Sequence, residues 1–171
     1  MSILIRPARP ADAPLILRFI RELASYERAA DQVRATEEGL VSLLFSPTPR
    51  GFCEIAEMAG APVGFMLWFY SVSTWEGRAG IFLEDLYVTP GARGAGVGRA
   101  LLKRLAERCV AEDLGRLEWR VLDWNAPAIA FYDAIGSEPL DEWMTRRLSG
   151  RALAELAASN TPLRSGKPFG S

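Results

Sequence analysis

The stretch Leu83-Glu-Asp-Leu-Tyr-Val-Thr-Pro-Gly-Ala-Arg-Gly-Ala-Gly-Val-Gly-Arg-Ala100 decides how this chain is read. It begins as a buried strand, turns at Thr89-Pro90-Gly91, passes three alternating glycines and enters a helix. That order gathers free backbone N–H groups and a helix N-terminus at one point, which suits a phosphate. Two carboxylates, Glu84 and Asp85, lie upstream on the same strand. A phosphate with acids nearby points to a phosphorylated cofactor meeting a basic substrate.

Glycine-rich loops of several kinds bind phosphates, and the spacing separates them. A Walker loop needs G-x-x-x-x-G-K-[ST]; Gly91 and Gly96 have the right separation, but Val97 and Gly98 stand where Lys and Ser/Thr belong. A dinucleotide fingerprint needs G-x-G-x-x-G, and Arg99 occupies the place of the third glycine after Gly94 and Gly96. The spacing that fits is R-x-x-G-x-G with its arginine at Arg93, in the run Arg93-Gly94-Ala95-Gly96-Val97-Gly98. An ordinary tight strand-to-helix turn would use the same residues.

Around this loop, the hydrophobic pattern predicts an α/β chain. Residues 3–6 form a short strand, 11–26 an amphipathic helix, and Thr36 caps a second helix ending near Phe45. Residues 52–58 and 63–70 read as strands joined by the turn at Ala59-Gly60-Ala61-Pro62. Residues 71–80 read as a polar connection bearing an exposed Trp75. Residues 81–88 are the strand of the opening motif, 98–113 a long helix and 117–121 another strand. Asn125 caps a short helix through Ala134, Gly136 ends it, 143–148 is a last strand and 151–158 a last helix. The order predicts one domain over residues 1–159, with a mixed sheet flanked by helices, and a flexible tail over 160–171.

Composition narrows the function. With 49% hydrophobic and 24% charged residues and a net charge of −1, the chain has no basic surplus for nucleic acid. It has no histidine, which excludes Ser-His and Cys-His catalysis and His-based metal sites. Proton transfer falls to Glu, Asp, Tyr, Lys or Cys. Cys53 and Cys109 form no C-x-x-C pair, and no signal peptide or membrane span is evident, so we expect a soluble cytoplasmic protein without a metal.

The R-x-x-G-x-G run resembles the coenzyme A pyrophosphate signature of the GCN5-related N-acetyltransferase (GNAT) superfamily. A second segment, Trp124-Asn125-Ala126-Pro127-Ala128-Ile129-Ala130-Phe131-Tyr132, is similar to that family's downstream N-x-x-A-[IR]-x-[FL]-Y element. Within the superfamily, Ile5-Arg-Pro-Ala8, Ile20-Arg-Glu-Leu-Ala-Ser-Tyr-Glu27, Leu83-Glu-Asp85 and Trp124-Asn125 resemble the diamine acetyltransferases, the spermidine/spermine and thialysine branch. The resemblance covers residues 3–157.

The resemblance implies a fold and a chemistry. The fold is a central mixed sheet of about six to seven strands with a splayed cofactor-binding strand. The co-substrate is acetyl-CoA, held by backbone groups of Leu86, Tyr87 and Val88, by the loop Arg93, Gly94, Ala95, Gly96, Val97, Gly98 and Arg99, and by Asn125, Pro127, Ala128 and Tyr132. Glu84 receives the substrate amine and serves as, or organises, the base. Tyr132 is the acid that protonates the departing thiolate. Tyr26 and Glu27 contact the substrate, and Asp85 is a second candidate. Simple strand alternation sends Glu84 and Asp85 to opposite faces.

Each residue also has a plainer reading: ion-paired surface acids, a cap at Asn125, a core aromatic at Tyr132. The polyamine enzymes carry a basic run after the tyrosine, whereas this chain has Asp133-Ala134-Ile135, which leaves Arg99 as the candidate replacement. The resemblance further implies a homodimer that exchanges C-terminal strands through residues 143–148. The expected acceptor is a small di- or polyamine or thialysine-like amine. A protein lysine or N-terminal acetyltransferase and a non-catalytic acyl-CoA-binding module are the alternatives.

Overall fold

The computed structural model describes residues 2–159. Between Ala126 and Pro127 the chain divides into two compact units. The first holds β1 (Ile3–Pro7), α1 (Ala13–Tyr26), α2 (Glu37–Phe45), β2 (Phe52–Met58), β3 (Ala61–Ser73), β4 (Arg78–Val88), α3 (Val97–Ala111) and β5 (Leu117–Trp119). The sheet runs β1-β2-β3-β4-β5, with every neighbouring pair antiparallel except β4 and β5, which are parallel.

Local chemistry explains the ends of several elements. The Gly39 amide donates to Thr36 Oγ1 at 3.1 Å, and Glu37 and Glu38 occupy the positive first turn of α2. The turn at Ala59 and Gly60, both with positive φ, closes the β2–β3 hairpin. Helix α1 buries Ile16, Leu17 and Phe19 against α2 and one face of the sheet, where Phe65, Leu67 and Tyr87 complete the core. Phe19 lies with its ring 5.7 Å from both Phe65 and Tyr87. Side chains alternate along β3, so Trp68 faces the other way and receives the Arg108 guanidinium of α3, 5.0 Å from its ring. Helix α3 turns Leu101, Leu102 and Leu105 into that second layer.

A buried carboxylate tethers α3. Glu54 on β2 is 3% exposed and lies 3.3 Å from Arg104 Nε and 3.8 Å from Arg108 Nη2. Pairing is what allows a carboxylate to be buried there.

The sheet departs from expectation in two places. It has five strands rather than six or seven, because residues 143–148 form no strand among the described residues. A strand exists through its ladder partner, and apolar spacing alone cannot supply one. The connection at residues 71–80 is also far shorter than expected. Ser71, Val72 and Ser73 pair with Gly80, Ala79 and Arg78, leaving a tight turn. Trp75 at its tip is 89% exposed.

The second unit holds α4 (Ala126–Asp133), which begins at the boundary, and α5 (Gly150–Ala158). Gly136 has φ +84° just beyond α4, and the amides of Gly136 and Ser137 donate back to the Asp133 and Tyr132 carbonyls. This left-handed ending stops the helix. The tail expected over residues 160–171 lies outside the described residues.

One ion cluster joins the start of the chain to the sheet. Arg6 donates through Nη1 and Nη2 to both oxygens of Asp12, at 2.8 and 3.0 Å, and through Nε to Glu57 at 2.7 Å. The Arg6 bonds hold the Asp12 carboxyl below its ordinary range. Its stabilisation is therefore complete above the unfolded-state pKa and is lost as pH falls through the folded-state value. Arg6→Ala should cost about 1–2 kcal/mol in denaturant unfolding at neutral pH. The gap from wild type should narrow on acidification; a gap that widens would contradict this account.

Candidate active site

Strand β4 separates from its parallel neighbour partway along. Leu117, Glu118 and Trp119 of β5 pair with Ile81, Phe82 and Leu83, and the ladder stops there. Residues 85–88 continue against β3 on one edge only, with no strand on the other among the described residues. Outward-pointing backbone groups of this segment, which includes Leu86, Tyr87 and Val88, thereby have no strand partner, although Arg93 takes the Val88 carbonyl.

At the point of separation the strand bulges. Leu67 pairs with Asp85 and Trp68 with Leu83, so Glu84 is an extra residue on β4. A bulge places two residues opposite one and re-aims their side chains. Strict alternation therefore breaks between Leu83 and Asp85, and the two acids are electrostatic neighbours.

Their environments differ. Glu84 is exposed, and its Oε2 lies 3.4 Å from Arg120 Nη2. Asp85 is largely buried, and burial first, then the charges of Glu84 and Glu27, push its carboxyl up to about 6. Glu27, at the C-terminal end of α1, is also raised by burial. Three carboxylates thus share one region, where each favours an incoming cation.

Tyr26 stands beside Glu27 in a different role. Its hydroxyl donates to Asn125 Oδ1 at 3.0 Å, and its ring lies 6.2 Å from that of Trp124. The Arg93 guanidinium covers the Tyr26 ring at 4.9 Å while its Nε donates to the Val88 carbonyl at 3.1 Å. Arg28 covers Trp124 at 4.8 Å. This stack ties the end of α1 to the end of β4 and to Asn125.

Beyond Arg93 the loop is built to approach an anion. Gly94 and Gly96 have φ of +77° and +86°, which side-chain-bearing residues rarely adopt, and each faces open space where a Cβ would project. Gly96 is the N-cap of α3 and offers no side chain to its first turn, which holds Val97, Gly98 and Arg99. The first-turn N–H groups have no intrahelical acceptors and point outward. These residues fit a pyrophosphate, and the bare β4 edge fits an extended amide-bearing arm.

The remaining expected residues lie on α4. Pro127 and Ala128 are in its first turn, and Tyr132 in its last, half-buried with its ring 5.3 Å from that of Phe131. Both cysteines are free. Burial raises the Cys53 and Cys109 thiols, which suits packing and disfavours thiolate chemistry. Among the described residues no group of His, Cys, Asp and Glu could hold a metal, and no helix is long and apolar enough to cross a membrane.

Sequence reasoning missed Arg120 and Arg28. Arg120 follows Trp119 just as Glu84 follows Leu83, so the β4–β5 register brings them together. Nothing local in the sequence announces that parallel register.

The sequence profile of the acetyltransferase (GNAT) family matches residues 16–136. A thialysine N-epsilon-acetyltransferase of Bos taurus is 42% identical over 166 residues, covering 91% of this chain and 97% of the relative. One of Caenorhabditis elegans is 38% identical over 151 residues, covering 86% and 92%. Among solved structures, an integron cassette protein from the mobile metagenome of V. cholerae, VCH_CASS6, superposes with a TM-score of 0.77 at 26% identity. It covers 93% of this chain and 99% of its own. The chain belongs to the acetyltransferase (GNAT) family. It is an N-acetyltransferase of the diamine-acetyltransferase branch, dependent on acetyl-CoA.

The buried acid allows a test without substrate. Because its proton is held more tightly in the folded chain, Asp85 lowers stability as pH rises from the unfolded value through about 6. The penalty is on the order of 3 kcal/mol at most. Asp85→Asn should raise the thermal midpoint at pH 8 relative to wild type and leave it nearly unchanged at pH 4. An equal shift at both would show that Asp85 ionises freely.

Proposed function

We propose that this enzyme acetylates the primary amine of a small thialysine-like substrate, with di- and polyamines as the neighbouring class. The observation that carries the reading is the cluster of Glu27, Glu84 and Asp85 where β4 leaves β5, beside the glycine loop. A substrate ammonium, with a pKa of about 10.4, is attracted by these acids but cannot attack until it loses a proton. The relatives named for thialysine acetylation support the acceptor class.

In this reading Glu84 receives the ammonium and takes its proton, directly or through water, while Glu27 steadies a second positive group. The amine then attacks directly in a ternary complex, since neither buried cysteine is a ready nucleophile. Acetyl-CoA supplies the acyl group as a thioester. Backbone groups of Leu86, Tyr87 and Val88 orient the reacting arm and steady charge developing on the acyl oxygen. The N–H groups from Gly94 to Arg99 hold the phosphates, and Asn125, Pro127 and Ala128 add contacts. Tyr132 gives its phenolic proton to the leaving sulfur.

A second reading makes Asp85 the base, favoured by its burial and its carboxyl near 6. A base works deprotonated, so kcat/KM should rise with pH through its pKa. If Asp85 is the base, Asp85→Asn abolishes an acid limb near pH 6 that Glu84→Gln retains; an Asp85→Asn enzyme that keeps that limb overturns this second reading.

The protein is further proposed to be a single acetyltransferase domain over residues 1–159 that acts as a cytoplasmic homodimer. Exposed Leu140, Trp143, Met144 and Leu148 supply apolar surface for a partner copy, and two free cysteines suit a reducing compartment.

Acetyl-CoA turnover over thialysine, lysine, putrescine, spermidine and a peptide panel tests the acceptor class. Activity on small amines is expected, and activity on peptides alone would overturn it in favour of a protein acetyltransferase. Tyr132→Phe should lower kcat about 100-fold with little change in coenzyme A affinity; unaltered kcat removes Tyr132 as the acid. Gly96→Val should weaken coenzyme A binding by at least about tenfold in calorimetry, because the strained loop can no longer present its amides. Unaltered binding would contradict the loop assignment.

A further inference from the structure

The acid cluster contains a cation of its own. Arg120 lies just past β5, with its guanidinium 5.2 Å over the Phe82 ring and its Nη2 3.4 Å from Glu84 Oε2. Its side chain is half exposed, so the pair faces solvent and adds little to stability. Arg93 and Arg28 are engaged on the rings of Tyr26 and Trp124, which leaves Arg120 as the guanidinium placed against the carboxylate expected to receive the substrate.

A fixed positive charge there has opposite consequences for the two acceptor classes. A diamine or polyamine carries only ammonium groups, and an arginine beside the receiving acid repels it and competes for that acid. An amino acid with a side-chain amine carries the same two ammonium groups and adds a carboxylate beside the α-ammonium. Its side-chain ammonium can meet Glu84 while its carboxylate meets the far edge of the same guanidinium. The guanidinium has five N–H donors in a planar fork, so engaging one carboxylate leaves donors for another. The chain of charges, Glu84, Arg120 and the substrate carboxylate, then alternates in sign.

We propose that Arg120 is a specificity-determining residue that recognises the α-carboxylate of an amino-acid acceptor and selects it over plain diamines and polyamines. This rests on the amine-acetyltransferase reading above and narrows its substrate class.

Two acceptors that differ only in the carboxylate provide the test: thialysine and bis(2-aminoethyl) sulfide, each measured with saturating acetyl-CoA. The wild-type enzyme should favour thialysine in kcat/KM by about tenfold or more, as expected for one charge-assisted contact. Arg120→Leu should erase that preference, mainly by raising KM for thialysine with kcat little altered, while kcat/KM for the sulfide diamine rises severalfold. Arg120→Lys should restore part of the preference, since it returns the charge without the fork. Calorimetric coenzyme A affinity matching wild type establishes that each variant is folded.

A thialysine-to-diamine ratio that is the same in wild type and Arg120→Leu overturns the assignment of Arg120 and leaves the amine-acetyltransferase reading standing. Turnover of neither compound by wild type overturns that reading, and this inference with it.

Discussion

Everything the site does depends on β4 leaving β5 after Leu83. From Ile81 to Leu83 β4 is an interior strand with partners on both edges; past Leu83 it keeps β3 alone. Unpaired backbone groups require a hydrogen-bonding partner, so the open edge is a constraint as well as an opportunity. An extended ligand can complete the ladder there. The bulge at Glu84 falls at the same point, and it brings two acids to the place where the strand opens.

The surrounding structure holds that opening in position. Tyr87 plugs β4 into the core beneath α1 and donates through its hydroxyl to Glu22 at 2.9 Å. Arg93 clasps the end of the strand through the Val88 carbonyl and stacks on Tyr26. On the opposite face, Glu54 holds α3 through Arg104 and Arg108, and α3 supplies the amide cluster at its N-terminus. The glycine loop and the acid cluster are thus two ends of one short, braced segment. The electrostatics follow from this geometry: Asp85 is buried enough to resist ionisation, Glu84 is exposed enough to accept an ion, and Arg120 already occupies part of its reach.

Much of this was legible from local chemistry. The Thr36 cap, the turn at Ala59-Gly60 and the glycine loop are written in consecutive residues, and the structure places them where spacing put them. The β3–β4 hairpin was not legible, because Ser71-Val72-Ser73 looks like a loop until it meets Gly80-Ala79-Arg78 across the turn. Residues 143–148 erred in the other direction, since their apolar spacing suggested a strand that no ladder supports among the described residues. Glu84 and Asp85 were both singled out, but their relative aim depends on a one-residue register slip against Leu67 and Trp68.

The sequence by itself determined the family, and with it acetyl-CoA as co-substrate, because the glycine run after Arg93 and the segment from Trp124 to Tyr132 carry their resemblance in consecutive residues. Only the tertiary structure decided which groups face one another. It set Arg120 on Glu84, gave Tyr26 to Asn125 and Arg93, and buried Asp85 while leaving Glu84 open. These outcomes depend on strand register, a bulge and burial, which arise between segments far apart in the chain and leave no mark on any one of them.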